Sequence, residues 1–327
     1  MATYIGTHGG KIQDYTTDPD NPILGQVWYN ETANTIKMQS VTTAGSWATV
    51  NSLNTARSAL GGAGATKDAA LAFGGGPPPA PSAVGITESW NGTNWTEVND
   101  LNTARALAGG AGTYTSAIAS GGDGYSGTSE SWNGSNWTNI TSSPNTGHTQ
   151  RGAGADSTNA LFFGGSPYAS NNKTTYWNGS SWTALNNLNT ARQAGAGSGK
   201  TYTAALAIGG ENPSDEVGIV ESFNGTNWTE VNDLNTARGG VAGADGTQTS
   251  TLFFGGNVPP ITAKTELWNG SNWTETTDLN TARNELAGAG ADNENALAFG
   301  GNVPAATAVT ESWTGAGAPQ VRTIDTD

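Results

Sequence analysis

The chain contains no cysteine, so it has neither a disulfide framework nor a thiolate metal site, and its fold is indifferent to redox compartment. Histidine is restricted to His8 and His148, which leaves little for imidazole chemistry. Basic residues number 13 against 27 acidic ones, a formal charge of −14, and a surface of that sign repels phosphate backbones and anionic membranes. Nucleic acid is therefore not an expected partner. No apolar run approaches the ~20 residues of a membrane span, and MATYIGTHGGKIQDY lacks a basic segment followed by an apolar core. Neither membrane insertion nor a signal peptide is expected. Charged residues make up 12%, about half the usual share, and helix formers are scarce.

What is present is glycine, 47 residues of it, with abundant Asn, Thr and Ser, a composition suited to short strands and tight turns. A phrase also recurs. Residues 90–105 read WNGTNWTEVNDLNTAR, and 223–238 repeat it almost verbatim. Weaker copies occupy 268–283, 177–192 and 132–151, the last with four extra residues, and a half copy, SWATVNSLNTAR, ends at Arg57. The terminal arginines 57, 105, 151, 192, 238 and 283 follow one another at intervals of 41–48 residues, the mark of a repeat architecture.

Each unit runs through a Gly/Ala-rich segment, an apolar strand ending in two glycines, a variable connection, an ESWNG strand and an NWTEV strand. Four short strands per unit follow, small residues in the first and large apolar ones in the second. That gradient suits blades converging on a narrow axis, where only Gly and Ala let backbones approach. Asn-Gly between the third and fourth strands predicts a hairpin with a type I′ turn, positive φ at both central positions. The flanking tryptophans, Trp90 with Trp95 and Trp132 with Trp137, are expected to pack across or between blades, as are Trp182, Trp228 and Trp273. Burial of each is worth about 2–3 kcal/mol before entropy.

Double glycine, then an aromatic, then Trp five residues on, at a spacing near 45 residues, resembles the kelch motif of β-propellers over residues 57–313. The grammar of LNTAR, AGAG, LAFGG and ESWNGTNW also resembles kelch-like proteins of marine bacteriophages found among virion or tail-associated components. In those proteins a segment similar to DPDNPILGQVWYNETANTIKM precedes the repeats. The expected fold is an all-β, kelch-like β-propeller of four-stranded blades. Residues 1–50 form a divergent N-terminal meander, a first blade or a docking piece, and 51–327 form six repeats. Val321 and Ile324 fall in the register of Val98 and Leu101, so the last unit is expected to supply its own fourth strand and the count is seven. The alternative is six blades, with SWATV closing the last.

The repeat arginines have a structural reading, tying blades through carbonyls or the recurring Glu88, Glu130, Glu221, Glu266 and Glu311; Thr175 breaks the series in the third unit. A ring of cations around an anion is the functional alternative. The resemblance to kelch propellers raises galactose-oxidase chemistry, but its copper is held by His and Tyr beside a Cys-Tyr cofactor, and the chain has no Cys. Sialidase propellers carry an aspartate box that SNWT and TNWT lack. No cofactor and no metal are expected: Asp18/Asp20 and Asp292/Glu294 lack EF-hand spacing, and AGAGAT does not lead into a helix as a phosphate loop does.

The connections after the double glycine vary freely while the framework does not, which places them on one exposed rim where binding surfaces are built. Tyr125, Tyr168 and Asn171 are the candidate contacts for a sugar. The expectation is a non-enzymatic virion-associated propeller that binds other virion proteins and a host-surface glycan. A glycan-acting hydrolase and a peptide-binding kelch adaptor are the alternatives.

Overall fold

The computed structural model describes residues 12–19, 25–41, 44–77, 82–124, 127–166, 172–240, 243–317 and 319–324. Among them there is no helix, and the strands form the expected seven four-stranded sheets, with one two-stranded ribbon besides. The chain divides into two compact units, residues 46–314 and a smaller unit of 1–45 with 315–327.

In the larger unit each repeat becomes one antiparallel blade, as in Gly61–Thr66, Ala69–Phe73, Thr87–Trp90 and Trp95–Val98. The inner strands Gly61–Thr66, Gly109–Thr113, Arg151–Asp156, Ala196–Thr201, Gly243–Thr247 and Ala287–Asp292 lie each beside the next, and the last lies beside the first. The ring is built from main chain. A Cβ on Gly110 would collide with the carbonyl of Gly62, one on Gly152 with that of Gly110, and one on Gly197 with that of Gly152. Any side chain at these positions would push blades apart, which explains the small-residue segment.

The second strands supply the apolar filling between blades. Phe73 of the first blade meets Trp137 of the second edge-on at 5.0 Å, and Phe163 meets Trp228, Phe254 meets Trp47 and Phe299 meets Trp95 at the same separation. Such a pair adds about 0.5–1.5 kcal/mol to the area buried. The outer-strand indoles also reach back one blade: Trp47, Trp95, Trp137 and Trp228 donate to the hydroxyls of Thr265, Thr310, Thr87 and Thr174 at 2.9–3.2 Å. Where the preceding blade carries Ser129 or Val220 instead, Trp182 and Trp273 donate to the carbonyls of Thr141 and Asn232. Trp182 is the repeat tryptophan that remains half-exposed, whereas Trp90, Trp95, Trp137, Trp228 and Trp273 are buried.

Three sequence expectations are corrected. The Asn-Gly hairpin is not type I′. Trp90 pairs with Trp95 across a four-residue loop, and of the two only Gly92 has positive φ, +88°. The Asn91 carboxamide oxygen instead accepts the N–H groups of Thr93 and Asn94 at 3.0 and 2.9 Å, so asparagine acts through its side chain. The same clamp recurs at Asn133, Asn178, Asn224 and Asn269.

Second, the last repeat does not supply its own fourth strand. Ser46–Val50 pairs antiparallel with Thr310–Thr314, Trp47 opposite Trp313, so SWATV completes the sixth sheet of the larger unit, the strand exchange of the six-blade alternative. Trp47 is 6% exposed against Phe254 and Trp313, and the sequence of the last repeat has alanine, with no ring to bury, at the place of the repeat Trp. Third, the N-terminal sheet, the seventh of four strands, is not a simple meander. Its order is Gln13–Tyr15, Val27–Asn30, Thr35–Val41 and Pro319–Ile324, the first pair parallel and the last strand drawn from the far end of the chain.

That smaller unit is organised by Asp18. Its carboxylate accepts Trp28 Nε1 at 3.1 Å, Asn30 Nδ2 at 2.7 Å and Lys37 Nζ at 2.8 Å. The hydrogen bond from Lys37, followed by that from Asn30, holds its pKa below the ordinary carboxylate value. A depressed folded pKa contributes stability that is present above the unfolded pKa of about 4 and is lost as pH falls through the folded value. Trp28 fluorescence should therefore report loosening of this unit below about pH 4, and Asp18→Asn should abolish that transition; an unchanged acid profile in D18N would show that Asp18 does not set it.

The repeat arginines confirm the ion-pair reading in five blades. Arg57, Arg105, Arg192, Arg238 and Arg283 meet Glu88, Glu130, Glu221, Glu266 and Glu311 at 2.5–3.2 Å, all buried. Burial, the first cause, pushes all five guanidinium pKa values down, Arg283 to about 10, against the pull of the partner glutamates. Desolvation thus outweighs attraction, and removing one partner should cost about 3–5 kcal/mol because a buried charge is left uncompensated. Arg238→Ala and Glu266→Gln should each lower the melting temperature. The double variant R238M/E266M should lie above the sum of the single losses; strict additivity in calorimetry would refute the coupling.

Candidate functional site at the third blade and channel mouth

One face of the ring carries the variable connections and the LNTAR segments between blades. They are laced together by short bridges: Ser58 with Gly76, Gln193 with Glu211, Gly239 with Asn257 and Asn284 with Asn302. In the second and third blades the same places are joined by Asp123 N–H donating to Ala106 O and Ser166 N–H donating to His148 O. The residue after each repeat arginine and the residue after each double glycine therefore meet at the base of a variable loop. The pairing of residue types differs from blade to blade.

The third blade departs furthest. The backbone two residues after Arg57, Arg105, Arg192 and Arg283 has positive φ, and the matching residue here is Thr149, φ 58°. Gly147, not Arg151, thus occupies the repeat-arginine place. Arg151 lies on the inner strand opposite Phe163, where other blades have Gly61, Gly109, Ala196 and Ala287. The assignment of Arg151 to the repeat series is corrected accordingly: arginine and its glutamate are lost together, as Gly147 and Thr175. Neutral groups fill the gap. Asn145 Nδ2 donates to Gly164 O, the carbonyl equivalent to the one that Arg57 holds at Gly74, and Gln150 Nε2 donates to the carbonyls of Asn145 and Gly147.

Arg151 itself ties two blades by main-chain acceptors. Its Nε donates to Gly195 O at 2.5 Å and its Nη1 to Gln150 O at 2.7 Å, while Nη2 is shielded from solvent without a partner. Burial lowers its pKa to about 10, with Glu211 pulling the other way, so it remains charged at neutral pH. His148 is pushed below its ordinary value by burial, offset by Asp123 and reinforced by Arg151. The carboxylates on this face serve as braces. Asp123 accepts the N–H of Ala106, Glu211 accepts the N–H of Gly240, and Glu216 accepts Asn257 Nδ2, each at 3.0 Å.

Among the described residues the inner strands also carry a non-repeated group at the channel. Lys200 stands where three other blades have Ala65, Ala155 and Ala291, and its ammonium donates to the carbonyls of Gly64 and Gly290 on other blades. It borders a cavity of about 60 Å³ otherwise lined by Gly, Ala and Ser198. Replacing Lys200 by Met should lower the melting temperature by removing this strut; no change in the melt would show that the cross-channel contacts are not stabilising.

Tyr125, Tyr168 and Asn171 lie outside the described residues. Sequence reasoning missed Gln193, Gln150 and Lys200; comparison of the chain's own copies could have found them, as large polar residues where sister units have small or different ones. Among the described residues no group of three or more His, Asp or Glu is gathered to hold a metal. No family model matches the chain, and no curated protein matches it.

Proposed function

We propose that the chain is a non-enzymatic, virion-associated β-propeller of kelch type that binds other virion proteins and a host-surface glycan through the face carrying its variable loops. The observation that carries this reading is the division of labour within the repeat. The Trp, Asn-Gly and Arg–Glu elements are consumed by inter-blade and intra-blade bonds. Sequence variation collects instead on one face, in the connections after the double glycine and in the residues that frame them. A scaffold that repeats its framework and varies one rim is suited to recognition.

The virion setting is supported by the resemblance of LNTAR, AGAG, LAFGG and ESWNGTNW to phage-encoded propellers. The polar rim, with Asp123, His148, Gln193, Glu211 and Asn257 and a positive charge half-buried at Arg151, is suited to hydroxyl-rich or polar protein surfaces rather than to apolar ones. Mass spectrometry of purified particles should find the chain as a stoichiometric component, and immobilised host polysaccharide should retain the protein without being cleaved. Absence from particles would remove the virion reading, and glycan turnover would replace binding by hydrolysis.

A further inference from the structure

We propose that main-chain carbonyls gathered at one end of the channel form a binding site for a primary ammonium group, which the chain fills with its own Lys200.

The site arises from an irregularity that several repeats share. In the first, third, fourth and sixth blades the inner strand carries one residue more than its partner, between Gly64 and Thr66, Gly154 and Asp156, Ser198 and Thr201, and Gly290 and Asp292. Such a bulge interrupts the ladder, leaves the extra residue unpaired and re-aims its side chain. Three of the bulges hold Ala65, Ala155 and Ala291, and the remaining one holds Lys200. The Lys200 ammonium donates to the carbonyls of Gly64, at 3.3 Å, and of Gly290, the residues that open the bulges of the first and sixth blades. One blade thus supplies a cation, and two others supply acceptors for it.

The acceptors do not depend on the lysine. They are main chain, held where strands pack closely: a Cβ on Gly64 would stand 2.7 Å from that of Ala289, and one on Gly290 2.4 Å from the carbonyl oxygen of Asn295. Packing therefore fixes both carbonyls whatever residue stands at position 200, and a preorganised site loses little free energy on binding. Solvent reaches it, since Lys200 is only half-buried and borders the cavity of about 60 Å³ at the channel. Converging backbone carbonyls replace the hydration of a cation. An ammonium offers them three donors and a full charge, where a hydroxyl offers one donor and none. The formal net charge of −14 also draws cations rather than anions to the protein.

The test separates the site from its built-in occupant. Lys200→Ala installs the residue of the three sister bulges and deletes a fragment equivalent to n-propylammonium. Its melting temperature should fall below that of wild type. Added n-propylammonium chloride should raise it again, with half the effect on the order of 10 mM for so small a ligand. Shifts are read against potassium chloride at equal ionic strength. On that scale wild type should not respond, because its own lysine fills the site, nor should K200M, whose side chain occupies the space without a donor. Tetramethylammonium, a cation with no N–H, should not act on K200A. An equal rise in wild type and K200A, an equal effect of tetramethylammonium, or no rise in K200A beyond that of potassium chloride each overturns the site. Were K200A unfolded, n-propylammonium should restore its fold, and failure to do so overturns the site as well.

Discussion

The buried carboxylate on the third strand of a blade is the group on which the rest of the ring depends. Glu88 has no exposure, and its two oxygens accept the N–H of Asn54, the Asn54 carboxamide, the N–H of Thr55 and the Arg57 guanidinium. The LNTAR sequence is thus a mould around a carboxylate. Asn and Thr wrap it with main-chain donors, and arginine closes it while its other nitrogen holds the carbonyls of Gly74 and Ile86. The arginine carbonyl then faces the preceding blade: Gly75 N–H donates to Arg105 O, and the same bond links Gly165 to Arg192, Gly210 to Arg238, Gly256 to Arg283 and Gly301 to Arg57. That last bond joins the final repeat to the first.

Both charges of each pair are taken out of water, so attraction between them is offset by desolvation and the ion pairs are not the main source of stability. The favourable free energy comes from the Trp and Phe clusters between blades, which are non-directional and would tolerate sliding. A carboxylate with four donors does not tolerate sliding, since any shift strands a buried charge. Apolar packing therefore stabilises the ring while the Glu–LNTAR contact fixes its register. Glycine at the axis permits the approach on which both depend, and its own lack of side chains leaves room for Lys200 to reach across the channel.

Much of this is legible in the sequence because repetition exposes constraint. Strand order within a blade, the small-to-large gradient, and the pairing of repeat Arg with repeat Glu follow from residues that recur at fixed offsets. Arg151 misleads because spacing is a one-dimensional measure: four inserted residues carry an arginine to nearly the expected place, while the backbone register, marked by Thr149, shows the true equivalent to be Gly147. The closing strand is ambiguous for another reason. Val321 and Ile324 match the register of a fourth strand, but a register does not reveal which segment can bury an indole beside the last repeat. Trp47 does so from the opposite end of the chain, paired with Trp313, as the half copy SWATVNSLNTAR allows in the six-blade alternative. The Asn-Gly dipeptide points to a turn through its backbone preference, whereas the asparagine side chain supplies the clamp.

The third blade shows what the rest of the ring permits. With five blades held by charge, the remaining position can give up its pair, and arginine and glutamate are replaced together, as Gly147 and Thr175, because either alone would leave a buried charge without its counterpart. The neutral replacements, Asn145 and Gln150, keep the carbonyl contacts but remove the requirement that this connector carry a guanidinium at the repeat position. An arginine then reappears four residues later with two main-chain anchors and, among the described residues, no carboxylate bonded to it. Arg151 thus keeps a framework role of another kind, tying the third blade to the connector of the fourth through carbonyls instead of through a carboxylate.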